Sequence, residues 1–109
     1  NTNCTLENFC EMVARTAEIM DIKNIGIGSD LCLDQPDEIV EWMRNGTWSK
    51  GKNFGEGSKN KPGFPTQPKW FEDARGFKNL EKGLRKVGFS DVETNGILGN
   101  NWYNFYKTI

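Results

Sequence analysis

Asp30 is the residue of this chain whose type and position most suggest catalytic chemistry. It follows the stretch NIGIGS at 24–29, in which Ile25 and Ile27 alternate with glycines, as in a short buried strand. A carboxylate just past a strand is fixed in position by that strand and can accept or donate a proton. The alternative is an aspartate that closes a turn or caps a helix.

Other catalytic chemistries fit the sequence less well. The 109 residues contain no histidine and no Cys-x-x-Cys pair among three cysteines, so a zinc site made by this chain alone would need carboxylates. Ser29 has no histidine to activate it as a nucleophile. The segment GTWSKGKN at 46–53 nearly matches a phosphate-binding loop, but Asn53 replaces the required hydroxyl and the segment follows a predicted helix instead of a strand.

The charge distribution argues against a general nucleic-acid binder, because the net charge is -1. The charge is uneven, since residues 1–44 are acidic and residues 45–109 are basic. Residues 80–101 have the length of a helix-turn-helix, but Asp91 and Glu93 at the start of its second helix would repel phosphates. Two packed helices are the alternative for this segment. No apolar run approaches the ~20 residues that span a bilayer.

Helix signals then indicate the elements that must position these residues. Residues 5–20 place apolar side chains three and four positions apart behind Thr5, a good N-cap. Residues 35–46 predict a second helix and residues 78–89 a third, which Gly88 would end. Ser90 and Glu93 predict a capping box at the start of a last helical stretch, which Gly99 would divide.

Residues 46–69 predict a long loop, because they are rich in glycine, lysine, asparagine and proline. Trp48 and Trp70 lie in or near this loop and are candidates for substrate contact. Trp42 and Trp102 fall on apolar helix faces, which predicts that they belong to the core.

Taken together, these features resemble the C-terminal part of the membrane (renal) dipeptidases, which are zinc metallopeptidases with a (β/α)8 barrel. NIGIGSD is similar to the last barrel strand of that family, Gly-x-Gly-Ser/Gly-Asp, and the tail at 79–106 is similar to its terminal helices. The matching positions of the tail are Leu80, Leu84, Gly88, Phe89, Ser90, Ile97, Leu98, Gly99, Asn101, Phe105 and Tyr106.

The resemblance implies an α/β fold class in which residues 1–109 are a C-terminal fragment of a TIM-type barrel. That fragment is expected to be mostly helical. It would have one short strand near 24–29 that ends at Asp30, the long loop at 46–69 and terminal helices between 78 and 107.

The resemblance also implies a site. Asp30 would take the proton of a hydroxide held by two zinc ions and pass it to the leaving amine. The zinc ligands would lie upstream of Asn1, so none is expected in this chain. The expected substrate contacts are Leu31, Cys32, Asp34, Trp48 and Trp70. Because Leu31-Cys32-Leu33 departs from the family's Asp-Phe-Asp-Gly pattern at the strand end, Asp34 is a rival for the working carboxylate.

The expected function is therefore part of a zinc-dependent dipeptidase that hydrolyses dipeptides. The chain alone is expected to be inactive and to associate with the missing N-terminal part or with itself, because its apolar stripe cannot all be buried by so few elements. A non-catalytic binding module, using the two loop tryptophans and nearby lysines, is one alternative. A subunit that completes a barrel supplied by another chain is the other. The cellular compartment stays open.

Overall fold

The computed structural model describes residues 4–31, 36, 38–39 and 67–109. Residues up to Asp30, together with those from Pro68 to Ile109, belong to one compact unit. Its helices are α1 (Leu6–Ile19), α2 (Phe77–Lys86), α3 (Asp91–Asn95) and α4 (Asn101–Lys107). A π-helical segment, Gly96–Asn100, joins α3 to α4. Single 3₁₀ turns, Ile22–Asn24 and Ala74–Gly76, lie after α1 and before α2.

Helix α1 confirms the prediction made from residues 5–20. The Thr5 hydroxyl accepts a hydrogen bond from the Asn8 backbone N–H at 3.1 Å, which satisfies one of the free donors at the start of the helix. Its apolar stripe buries Cys10 and Val13. The periodicity of the sequence therefore identified the face of α1 that turns toward the core.

Helix α2 and the capping box at Ser90 are also confirmed. Leu80 and Leu84 are fully buried, and Gly88 ends the α2 turn with a φ of 111°, a value that favours glycine. Ser90 N–H donates to the Glu93 carboxylate at 2.8 Å, and Glu93 N–H donates back to the Ser90 hydroxyl at 3.3 Å. As predicted, Gly99 lies in the segment that divides the last helical stretch.

The core lies where α1 crosses α2. A Cβ added at Gly83 would lie 2.6 Å from Cys10 Sγ, so glycine allows the two helices to approach closely. Ile97 of the π-helical segment is completely buried. Among the described residues, the buried apolar side chains are Cys10, Val13, Ile25, Phe71, Leu80, Leu84 and Ile97.

The predicted α/β class and barrel fragment are wrong. Across residues 4–31 and 67–109 the structure has no strand, and residues 25–31, which include most of the strand expected near 24–29, have no regular secondary structure. A strand is defined by backbone hydrogen bonds to a neighbour, and residues 26–28 form none with the described part of the chain. Gly26 and Gly28 have no side chains, so no packing at these two positions stabilises an extended backbone.

One further prediction is wrong, and two others fall almost entirely on residues outside the described ones. Trp102 is 43% exposed, so the prediction that it is a core residue is wrong. The helix predicted at 35–46 and the loop predicted at 46–69 lie almost entirely outside the described residues. Within the described part of the chain, no helix has the length and apolar character needed to cross a membrane.

Candidate functional site

Asp30 has an unusual backbone conformation. Its φ is 47°, which makes it the one non-glycine residue with a positive φ in the described part of the chain. Most L-amino acids lose roughly 1–2 kcal/mol in this left-handed region, while aspartate and asparagine tolerate it better. Asp30 is exposed to solvent, and no hydrogen bond or ion pair among the described residues involves it. Its carboxylate is therefore accessible to a ligand.

The segment that leads to Asp30 is fixed at its start. The 3₁₀ turn Ile22–Asn24 begins at Asp21, whose carboxylate accepts the Lys23 backbone N–H at 3.2 Å. Ile25 N–H then donates to the Ile22 carbonyl at 3.2 Å, and the Ile25 side chain is buried. A turn and an apolar anchor thus hold the chain five residues before Asp30.

Grooves lie on two sides of residues 25–28. One, of about 220 Å³, faces α1, and the other, of about 240 Å³, faces α4. The α1 groove is lined by Phe9, Met12, Val13, Thr16, Ile25, Gly26, Ile27 and Gly28. The α4 groove is lined by Lys23, Asn24, Ile25, Gly26, Asn101, Trp102 and Phe105. Both linings are mainly apolar. In the α4 groove, the Asn101 side chain donates hydrogen bonds to the backbone carbonyls of Ile22 and Ile25.

The electrostatics of this region are set by short-range pairs. A hydrogen bond from the Lys23 side chain, joined by one from the Lys23 backbone, holds the pKa of Asp21 below its usual range. On α1, burial raises the pKa of the Cys10 thiol, which keeps that thiol protonated in the core. Cys10 therefore acts as a small apolar side chain and not as a nucleophile.

Of the other predicted substrate contacts, Leu31 and Trp70 lie among the described residues. Leu31 is half-buried and follows Asp30 directly. Cys32, Asp34 and Trp48 lie outside the described residues, so their part in the site stays a prediction.

Trp70 lies beside the start of α1. Its indole N–H donates to the Cys4 carbonyl at 2.8 Å, and its ring packs against Phe9 and Phe71 with centroid distances of 5.4 and 5.7 Å. Asn79 also donates to the Trp70 carbonyl at 2.8 Å. These contacts occupy the polar atom of the indole, so any substrate contact of Trp70 would use the remaining ring surface.

The described residues do not themselves make a zinc site. They contain no group of three histidine, cysteine, aspartate or glutamate side chains with the spacing of metal ligands.

One residue of this region was not identified from the sequence as a site residue. Asn101 is one of the matching positions of the tail at 79–106, yet its side chain reaches the backbone that leads to Asp30. Its partners lie 79 and 76 residues earlier in the chain, so no local sequence signal pointed to these bonds.

Comparisons of this chain with protein-family models, with curated proteins and with solved structures found no match.

Proposed function

We propose that this chain is the part of a zinc-dependent dipeptidase that supplies the general acid–base, Asp30, and a share of the substrate-pocket wall. The proposal starts from the similarity of NIGIGSD and of the tail at 79–106 to the membrane (renal) dipeptidases. The structural observation that supports it is the left-handed backbone at Asp30, because unusual backbone conformations concentrate at functional sites.

Asp30 carries the proton in the proposed hydrolysis. As the water oxygen forms its bond to the carbonyl carbon of the dipeptide, the Asp30 carboxylate accepts the proton that the water loses. When the C–N bond then breaks, Asp30 gives this proton to the leaving nitrogen and returns to its ionised form. Zinc, held by residues outside the described ones, would supply polarisation of the carbonyl and a more acidic water.

The proposal includes partners. Because the resemblance places the zinc ligands upstream of Asn1, the chain on its own is inactive in this scheme, and a metal-binding part must lie beside Asp30. The exposed aromatic residues of α4 provide an apolar surface for association with that part or with a second copy. A dipeptide is the proposed substrate.

The test is Asp30→Asn in the full-length protein that carries this chain. Asparagine tolerates the left-handed backbone, so the variant should fold and keep its zinc while losing the proton carrier. We expect kcat to fall ~10²–10⁴-fold with a smaller change in KM, because the proton moves in the transition state. Dipeptide hydrolysis and zinc content are the two measurements.

Asp34→Asn is the matched control, since it removes a carboxylate four residues later in the chain. This variant should cost far less in kcat than Asp30→Asn, and the loss of a substrate contact at Asp34 would raise KM instead. If Asp34→Asn abolishes hydrolysis and Asp30→Asn does not, the assignment of Asp30 is overturned.

A further inference from the structure

The side-chain amide of Asn101 connects the start of α4 to the segment that leads to Asp30. Its Nδ2 donates to the Ile22 carbonyl at 2.9 Å and to the Ile25 carbonyl at 2.8 Å. Asn101 is half-buried, and these bonds join residues 79 and 76 positions apart in the sequence.

The chemistry of these bonds requires an amide nitrogen. Both partners are carbonyl oxygens, which accept hydrogen bonds and cannot donate them. An NH₂ group has two hydrogens, so Asn101 satisfies both carbonyls at once. An isosteric carboxylate at this position would have no donor and would repel both oxygens.

The π-helical segment brings Asn101 to this position. The Asn101 backbone N–H donates to the Gly96 carbonyl, five residues earlier, which is the wider turn of a π-helix. A Cβ added at Gly96 would lie 2.9 Å from Asn101 Oδ1, so glycine leaves the space that the amide occupies. Single π turns inside α-helical stretches are frequent at functional sites.

The two carbonyls that Asn101 binds, those of Ile22 and Ile25, lie just before residues 26–28 in the chain. Those three residues form no hydrogen bond within the described part of the chain. Gly26 lies against the indole of Trp102, since a Cβ added there would lie 2.8 Å from Trp102 Cδ1. Contacts from the start of α4 therefore set where the chain leaves Ile25, five residues before Asp30.

We propose that Asn101 is a positioning residue for Asp30, an inference that rests on the function proposed above. Asn101 does not touch the substrate. It fixes the carbonyls of Ile22 and Ile25, and the short segment after Ile25 transmits that position to the carboxylate. Because a shift of ~1 Å in a catalytic group can cost ~10²-fold in rate, a second residue that fixes the segment should be visible in turnover.

The experiment compares Asn101→Asp with Asn104→Asp in the full-length protein. Asn104 is an exposed residue of the same helix, so its variant adds the same charge without touching Ile22 or Ile25. We expect Asn101→Asp to lower kcat ~10–10²-fold with KM nearly unchanged, and Asn104→Asp to change neither. Hydrogen exchange of the Asn24 and Ile25 amides should become faster in Asn101→Asp alone.

A double variant separates positioning from a general structural role. If Asn101 acts through Asp30, adding Asn101→Asp to Asp30→Asn should reduce kcat little further. A fully additive loss would overturn the inference, as would unchanged exchange and unchanged kcat in Asn101→Asp. Should Asn101→Asp fail to fold by circular dichroism, Asn101→Ala repeats the series without the added charge.

The outcome for Asn101 can be distinguished from the outcome for the proposed function. If Asp30→Asn leaves hydrolysis unchanged, the proposed function fails, and with it the catalytic role of Asn101. Faster exchange at Ile25 in that case would show that Asn101 fixes the segment without serving catalysis. If Asp30→Asn abolishes turnover while Asn101→Asp leaves kcat unchanged, only the inference on Asn101 fails.

Discussion

At the scale of single residues, the proposed site rests on the backbone conformation of Asp30 and on the hydrogen bonds of Asn101. Asp30 has φ of 47°, a conformation that aspartate and asparagine adopt at lower cost than most residues. The residue type is therefore consistent with a turn as well as with catalysis. What favours the catalytic interpretation is that Asp30 is exposed and follows a segment whose start is held by a buried Ile25 and by the Asn101 amide.

Asp73 should make the folded state sensitive to acid. Hydrogen bonds from the Arg75 side chain and then from its backbone lower the pKa of Asp73 from 3.8 to about 2. Because the ionised carboxylate is favoured in the folded state, its stabilising contribution is complete above pH 3.8 and is lost as the pH falls toward about 2. Urea unfolding midpoints measured down this pH range should fall, and Asp73→Asn should reduce that fall.

Glu11→Gln is the control for this prediction, because Glu11 is an exposed carboxylate of α1 outside the ion pairs of the described residues. It should leave the acid dependence unchanged. Asp21 and Glu93 also have lowered pKa values, so the dependence should be reduced by Asp73→Asn and not abolished. An identical pH profile for Asp73→Asn and the parent chain would contradict the prediction.

At the scale of elements, the contact between α1 and α2 depends on Gly83. A methyl group there would meet Cys10 Sγ at 2.6 Å and Leu6 Cδ1 at 2.9 Å. Gly83→Ala should therefore destabilise the chain by roughly 1–3 kcal/mol, although alanine is the better helix former. Thermal unfolding followed by circular dichroism would measure this.

Gly99→Ala is the matched control, because nothing lies within 4 Å of a Cβ built at Gly99. It should be neutral or slightly stabilising. Cys10→Ala added to Gly83→Ala should recover part of the lost stability, since it removes the closest atom. Equal melting temperatures for Gly83→Ala and Gly99→Ala would show that α1 and α2 do not approach as closely as described.

The same elements show which features the sequence could predict. Helix caps and helix ends were predicted correctly, because they depend on interactions between residues only a few positions apart. These residues are Thr5, Ser90, Glu93 and Gly88. The strand expected near 24–29 depends on hydrogen bonds to another segment, which a local pattern cannot supply. The bonds of Asn101 to carbonyls 76 and 79 residues away depend on the fold, so sequence spacing could not reveal them.

At the scale of the whole molecule, α4 leaves a large apolar surface in solvent. Phe105 and Tyr106 are 55% and 64% exposed, and Ile109 is 84% exposed. Trp102, Phe105 and Tyr106 pack on one another with ring centroids 5.8 to 6.3 Å apart, so their exposed parts form one continuous cluster. Because about half of each of these aromatic residues is exposed, association can bury further apolar area at this cluster.

We expect this surface to make the isolated 109-residue chain self-associate. Water contact with the aromatic cluster is unfavourable at roughly 25 cal/mol per Å², and burial against a second copy relieves it. Light scattering over a dilution series should show a dimer or larger species. Phe105→Lys combined with Tyr106→Lys should shift the chain to monomer, because two cations from each copy would be buried against one another in the contact. Ile19→Lys is the control and should leave association unchanged. Ile19 is 87% exposed but lies on α1, outside the cluster.

A chain that is monomeric at every concentration would contradict the expectation. Equal dissociation by Ile19→Lys would instead show that the contact includes α1 as well as α4.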